Sequence, residues 1–191
     1  ERKFFLVGDS KLVSYSNLAA VIDAGREFIA PAPKSYVSAE VLAACDYDAA
    51  SPVAYVAERD QYKEADQRAC YRVAEDTMVI SGPTKKDPQL HLRRVFVWSS
   101  ARAAAAVAAR DKKLQRARGD LERLTGGLGS RHYPDQAAVT ARVAAIAAAR
   151  RVKAYLKSDV GVDDTGKVTL TWSFDQTAID TEARTDGWYA L

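Results

Sequence analysis

A single acid, Asp9, follows directly on the first apolar stretch of the chain. Residues 3–7, KFFLV, have the composition of a buried strand, and GDS ends it. The pattern that follows predicts a helix through about Ala24, capped by Ser14 or Ser16. A carboxylate in such a strand-to-helix loop can cap or turn the chain, or it can bind Mg²⁺, which takes oxygen ligands and keeps waters for a phosphate substrate.

Lysines and arginines form the second group of side chains that could do chemistry. Between Ser100 and Lys157 the chain carries 13 basic and 4 acidic residues, a net charge of +9, whereas the remainder carries −6. Basic side chains neutralise DNA phosphates, but they also solvate helix surfaces, so both interpretations stay open. The candidates for DNA contact are Arg110, Lys112, Lys113, Arg116 and Arg118 on a first predicted helix, and Arg150, Arg151, Lys153 and Lys157 on a second.

Binding of a metal by Asp9 would require a sheet that places this side chain at the carboxyl ends of its strands, and the sequence predicts such a sheet. REFIAP indicates a second strand after the first helix, which gives a β-α-β unit with Asp9 at the carboxyl end of its first strand. Functional groups in open α/β sheets lie at that edge. The composition changes near Ala30 to Lys34, where we place a boundary.

Two predicted helices carry the basic candidates. Ala101 to about Leu124 and Asp135 to Leu156 are alanine-rich and periodic, and the segment TGGLGSRHYP between them predicts an antiparallel αα-hairpin. The rest of the chain predicts a mixed α+β fold, with strands at 69–81, 91–99 and 167–175, short helices at 38–45 and in QTAIDTEAR, and a last strand in DGWYAL.

Length and composition narrow the class of protein. A chain of 191 residues with 48% hydrophobic residues can bury a core, and its apolar runs fall short of the roughly 18 uncharged residues of a membrane span. Two cysteines are too few for a disulfide framework, so we expect a reducing, cytoplasmic compartment and no membrane partner. The start, ERKFFLVGDS, has neither an initiator Met nor a signal-peptide layout, and we expect an internal piece of a longer protein.

FLVGDS resembles the late acidic motif of haloacid-dehalogenase-like phosphatases, in which an acid after a strand binds Mg²⁺. That motif usually carries a second Asp four or five residues later, where this chain has Val13 and Ser14. It also normally follows a nucleophilic DxD, and none precedes FLVGDS in this sequence. A phosphatase is therefore the least favoured function.

Three segments, in order, resemble DDE transposases of bacterial insertion sequences, in the group whose ribonuclease-H-like core is interrupted by a large insertion. FFLVGDSKLVSYSNLAAVIDAGREFIAP is similar to the region around that family's second catalytic Asp. RRVFVWSSARAAAAVAARDKKLQRARGDLERL is similar to a strand and an Arg/Lys-rich helix of the insertion, and EARTDGWYAL to the segment before the helix that bears the last catalytic acid.

The resemblance implies a partial ribonuclease-H-like core (β-α-β) in residues 1–32, an α+β insertion with the basic αα-hairpin in 33–185, and a strand returning to the core in 186–191. Asp9 is then the second acid of the triad and a ligand of Mg²⁺ or Mn²⁺, while the first Asp and the Glu lie outside this chain. Because two ions roughly 3.5 to 4 Å apart need all three carboxylates, we expect this piece alone to be inactive.

The implied partners are double-stranded DNA, as transposon ends and target, and a second copy of the chain in a synaptic homodimer. The implied location is the bacterial cytoplasm, at the nucleoid. A non-catalytic DNA-binding or dimerisation module is the alternative from a different class.

Overall fold

The computed structural model describes residues 5–191 and shows a mixed α/β chain in two compact units. Unit 1 comprises residues 5–104 and Arg184–Leu191, and unit 2 comprises Ala105–Ala183. The elements in chain order are β1 (Phe5–Val7), α1 (Tyr15–Asp23), β2 (Glu27–Ile29), α2 (Ala39–Ala43), β3 (Ser51–Val53), β4 (Tyr71–Ile80), β5 (Leu90–Ser99), α3 (Ser100–Gly126), α4 (Gln136–Arg150), β6 (Leu156–Val162), β7 (Val168–Phe174), α5 (Gln176–Ala183) and β8 (Trp188–Ala190).

The mixed α+β class is as expected. The finer assignment to a ribonuclease-H-like core, with boundaries after residues 32 and 185, stays a prediction. Lys3 and Phe4 of the predicted first strand lie outside the described residues.

The predicted β-α-β unit is present at the start of unit 1. β1 and β2 pair in parallel, with Leu6 opposite Phe28. Ser14 caps α1, since its side chain accepts a hydrogen bond from the backbone N–H of Asn17. Gly25 follows the helix with a φ of 62°, a conformation that glycine adopts without strain.

An antiparallel sheet in the order β3-β4-β5-β8 forms the larger part of unit 1. Its long central pair, β4 and β5, is in register from Tyr71 opposite Ser99 to Ile80 opposite Leu90. β8 comes from the end of the chain and pairs with β5, with Ala190 opposite Phe96. The buried residues around this sheet form two clusters, one of Val37, Ala50, Phe96, Trp188 and Ala190, and one of Leu18, Ile80 and Leu90.

The prediction that the first strand is buried is wrong for the described residues. Phe5, Leu6 and Val7 are 57%, 43% and 75% exposed. The reason lies in α1, whose fully buried residue Leu18 packs against Ile80 and Leu90 of the antiparallel sheet. Among residues 5–191, β2 is the one strand that pairs with β1.

Unit 2 is built from the later part of α3, α4, the β6–β7 hairpin and α5. Its main cluster joins Leu121 and Leu124 of α3 to buried residues of α4 and to Leu170 of β7. In β7 the apolar residues alternate with exposed Thr169, Thr171 and Ser173, as predicted. The buried residues of α4 are Val139, Val143, Ile146 and Ala147.

The second basic helix ends six residues earlier than predicted. Arg151 adopts a left-handed conformation (φ 56°, ψ 42°), and its N–H bonds to the carbonyl of Ala148 at 3.1 Å. The N–H of Val152 bonds to the carbonyl of Ala147 at 2.9 Å, which completes a Schellman end, and the Val152 side chain is fully buried. Lys153 therefore lies in a turn and Lys157 in β6, not on a helix.

Candidate functional site

Asp9 lies where the carboxyl ends of the two parallel strands meet. The N–H of Gly8 donates to the carbonyl of Ile29 at 3.0 Å, so the loop after β1 starts beside the end of β2. Oδ1 of Asp9 accepts a hydrogen bond from the N–H of Lys11 at 2.8 Å, and the side chain is exposed. Asp9 thus turns the chain and still presents a carboxylate to solvent.

The loop that carries Asp9 is held to α1. The side-chain amide of Asn17 donates to the carbonyl of Lys11 at 3.3 Å, and the N–H of Leu12 donates to the carbonyl of Asp9 at 3.0 Å. These bonds fix the backbone on both sides of Ser10. The acid is therefore placed by the strand before it and by the helix after it.

A carboxylate such as that of Asp9 is a suitable ligand for Mg²⁺ or Mn²⁺. Within residues 5–191, no three His, Cys, Asp or Glu side chains come together as a possible metal site. Asp9 therefore fits as one ligand of a site that needs further oxygen donors.

Four of the nine candidate DNA-contacting residues are engaged within unit 2. Arg110 is 6% exposed, and Nε of Arg150 lies 2.6 Å from a carboxylate oxygen of Asp120. Nζ of Lys157 lies 2.8 Å from Asp175. The hydrogen bond from Arg150 is the main cause that lowers the pKa of Asp120, and burial opposes it.

Lys113 is the fourth, and it belongs to a partly buried network. Its Nζ donates to the hydroxyl of Tyr155 at 2.8 Å and lies 3.4 Å from Glu182, to which Tyr155 also donates. Burial acts to lower the pKa of Lys113, but the Tyr155 bond and the charge of Glu182 outweigh it and the pKa is raised. Lys113 therefore ties α3 to α5 through Tyr155, which is 2% exposed.

The other five candidates are exposed. Lys112 and Arg116 lie one turn apart on α3, away from the buried seam of Ala117 and Leu121. The guanidinium of Arg118 stands 5.9 Å from the ring of Phe174. Arg151 and Lys153 lie in the turn after α4. The structure thus leaves two small groups of basic side chains on the surface of unit 2.

A cavity in unit 1 was not predicted from the sequence. It has a volume of about 770 Å³ and lies among two short 3₁₀ turns (Glu58–Asp60 and Ala65–Gln67), the start of β4, β8 and the first turn of α3. Its polar wall residues are far apart in the chain, from Arg59 to Tyr189. The charged loop ERDQYKEADQR is the one signal in the sequence, and it resembles an ordinary solvated turn.

The described helices include none that is long and apolar enough to cross a membrane. Matching the chain against models of protein families, curated proteins and solved structures returned no relative.

Proposed function

We propose that this chain is part of a DDE-transposase-like enzyme that cuts and joins DNA by metal-dependent phosphoryl transfer, with Asp9 as one metal-binding carboxylate. The observation that carries the proposal is the short parallel sheet. An exposed acid lies two residues after its first strand, and the three residues of that strand are apolar and exposed. Both features are expected of an inner strand of a larger α/β sheet.

Leaving such a strand uncovered costs free energy, because its apolar side chains stay in water. Parallel strands are normally covered on both faces, whereas Phe5 and Val7 are 57% and 75% exposed. Burying the side chains of three such residues would contribute roughly 1.5 to 3 kcal/mol each. In the proposal, segments outside these 191 residues pair with β1, cover its faces and bring the other two acids next to Asp9.

The chemistry follows from the carboxylates. Two metal ions clamped by three acids can activate the attacking oxygen and stabilise the leaving oxygen of an in-line displacement at phosphorus. Asp9 would supply one shared ligand, held in place by the loop bonds to Lys11 and Asn17. Alone it cannot hold two ions, and the 191-residue chain should not cut DNA.

The test uses a longer protein that includes the segments on both sides of this chain. With Mg²⁺ or Mn²⁺ and duplex DNA carrying the element ends, Asp9→Ala should reduce strand cleavage to background and leave DNA binding nearly unchanged. Asp23→Ala removes another exposed acid of the same unit and is the matched control. Cleavage retained in Asp9→Ala would remove Asp9 from the mechanism, and hydrolysis of small phosphate esters without DNA would favour the phosphatase instead.

A DNA-binding module without catalysis is the second candidate, and the exposed pair Lys112 and Arg116 favours it. The two side chains lie on one face of α3, and no ion pair within residues 5–191 engages either of them. Such a face can follow a DNA backbone, because each neutralised phosphate releases counterions.

The double variant Lys112→Ala/Arg116→Ala tests this module. The plot of log K against log salt for duplex DNA should become shallower by about 1.8 in slope, since each lost phosphate contact accounts for roughly 0.9. Lys85→Ala/Lys86→Ala removes the same charge from an exposed turn of unit 1 and serves as control. An unchanged slope, or an equal fall in the control, would rule this surface out.

A further inference from the structure

One wall of the cavity in unit 1 is held in place by hydrogen bonds and an ion pair. The carboxylate of Asp60, which is 1% exposed, accepts a hydrogen bond from the N–H of Ala69 at 3.3 Å and forms an ion pair with Lys63 at 2.7 Å. Nε of Arg68 donates to the carbonyl of Lys63 at 2.8 Å. These contacts fold residues 58–69 into a closed loop that forms one side of the cavity.

The opposite side is the first turn of α3. Ser100 exchanges two hydrogen bonds with Cys70, from its N–H to the Cys70 carbonyl and from the Cys70 N–H to its Oγ, both at 3.0 Å. This clamp fixes the start of the helix beside β4. The N–H of Ser100 is used in this clamp, but the N–H groups that follow it in the first turn have no partner inside the helix and carry a partial positive charge, so this wall favours an anion.

The side chains around the cavity add to that preference. Four are basic (Arg59, Lys63, Arg68 and Arg102) and two are acidic (Asp60 and Asp66), which gives a net charge of +2. Since Lys63 neutralises Asp60, three arginines and one acid, Asp66, remain among the lining residues. Guanidinium groups bind phosphate oxygens in pairs of hydrogen bonds.

Two tyrosines complete the lining. The guanidinium of Arg102 stands 4.9 Å from the centre of the Tyr189 ring, and Tyr71 lies in the same wall. Burial raises the pKa of Tyr189, so its hydroxyl stays protonated. The lining of the cavity therefore combines basic residues with tyrosine rings, and its volume lies in the range of small-molecule sites of about 300 to 1,000 Å³.

We propose that this cavity binds a phosphate monoester whose organic part occupies the space beside Tyr71 and Tyr189. A phosphate dianion matches the net charge of +2 and offers enough oxygens for several donors. A bare inorganic anion would leave most of the 770 Å³ unfilled. The proposal does not depend on Asp9 or on catalysis, so it stands or falls apart from the transposase assignment.

The test is calorimetric titration of the 191-residue chain with adenosine 5′-monophosphate, adenosine and inorganic phosphate. The monophosphate should bind, inorganic phosphate should bind more weakly, and adenosine should not bind. Arg59→Gln and Arg102→Gln should each weaken the monophosphate by about tenfold, the value of one charge-assisted hydrogen bond. Both arginines are exposed, so each substitution should leave the fold intact, which circular dichroism will check.

The double variant Lys85→Gln/Lys86→Gln is the matched control and should bind as the original chain does. Equal weakening in that control, equal binding of adenosine, or no binding of any probe would overturn the proposal. A short oligonucleotide with a 5′-phosphate, compared with its 5′-hydroxyl form, separates the two sources of the monoester. Binding of the phosphorylated strand in place of the mononucleotide would identify a DNA end, and binding of both would identify a free nucleotide pocket that also accepts ends.

Discussion

Gly187 occupies a position in unit 1 where the backbone and a neighbouring side chain both exclude a larger residue. Its φ is 88°, and a Cβ built there would lie 2.6 Å from Nε1 of Trp98 and 3.0 Å from the Cβ of Ala103. The same indole nitrogen donates to the carbonyl of Asp186 at 3.1 Å. The approach of β8 to β5 therefore depends on a residue without a side chain.

We expect Gly187→Ala to lower the free energy of unfolding of unit 1 in two ways. The left-handed backbone costs an L-residue about 1 to 2 kcal/mol, and the contact with Trp98 adds about 1 to 3 kcal/mol of overpacking. Gly25→Ala is the matched control, because Gly25 also has a positive φ of 62° but has open space around it. Urea unfolding followed by tryptophan fluorescence measures the difference, and equal losses in the two variants would show that Trp98 simply moves aside.

The end of α4 is decided by a single residue conformation. Arg151 is the one non-glycine residue between 5 and 191 with a positive φ, and it lies at the position that glycine most often occupies after a helix. The buried Val152 holds this end in place against Ala147. The helix therefore stops because its next apolar residue packs back onto it.

Arg151→Gly should stabilise unit 2 by about 1 kcal/mol, because it relieves the left-handed strain at this position. Arg151→Ala removes the same charge but keeps the strain, so it should change stability little. Urea unfolding followed by far-UV circular dichroism compares the three chains. If both variants were equally stabilised, repulsion between basic side chains would be the cause in place of backbone strain.

The same helix shows what the sequence could not predict about the elements. Val152 and Leu156 continue the spacing of Val139, Val143 and Ile146, so the periodic pattern runs on where the backbone turns. Strand β6 was missed for the same reason, because the helix was extended over its start. The cap of α1 was predicted more successfully, since the side chain of Ser14, one of the two predicted candidates, accepts a hydrogen bond from the N–H of Asn17.

At the scale of the whole chain, local patterns predicted the elements and the pairing of sequence neighbours, but not the pairing of distant segments. The alternation in β7 and the parallel β1–β2 pair follow from sequence, because both depend on neighbouring residues. The pairing of β8 with β5 joins segments about 90 residues apart, and the cavity of unit 1 draws on residues from 59 to 189. The position of Asp9 just after a strand could be predicted, because it depends on neighbouring residues. The hydrogen bond of Lys113 and the ion pairs of Arg150 and Lys157 depend on tertiary contacts that residue spacing does not reveal.

The uncovered strand β1 also has a consequence for handling the protein. Its three apolar, exposed residues and the edge that pairs with no strand among residues 5–191 form a template on which a second chain can add a strand. In a concentrated solution of this chain alone, we expect chains to associate through β1 even while both units stay folded. Solubility, and not the free energy of unfolding, then sets the working concentration, and a longer protein that covers β1 should be the easier one to purify.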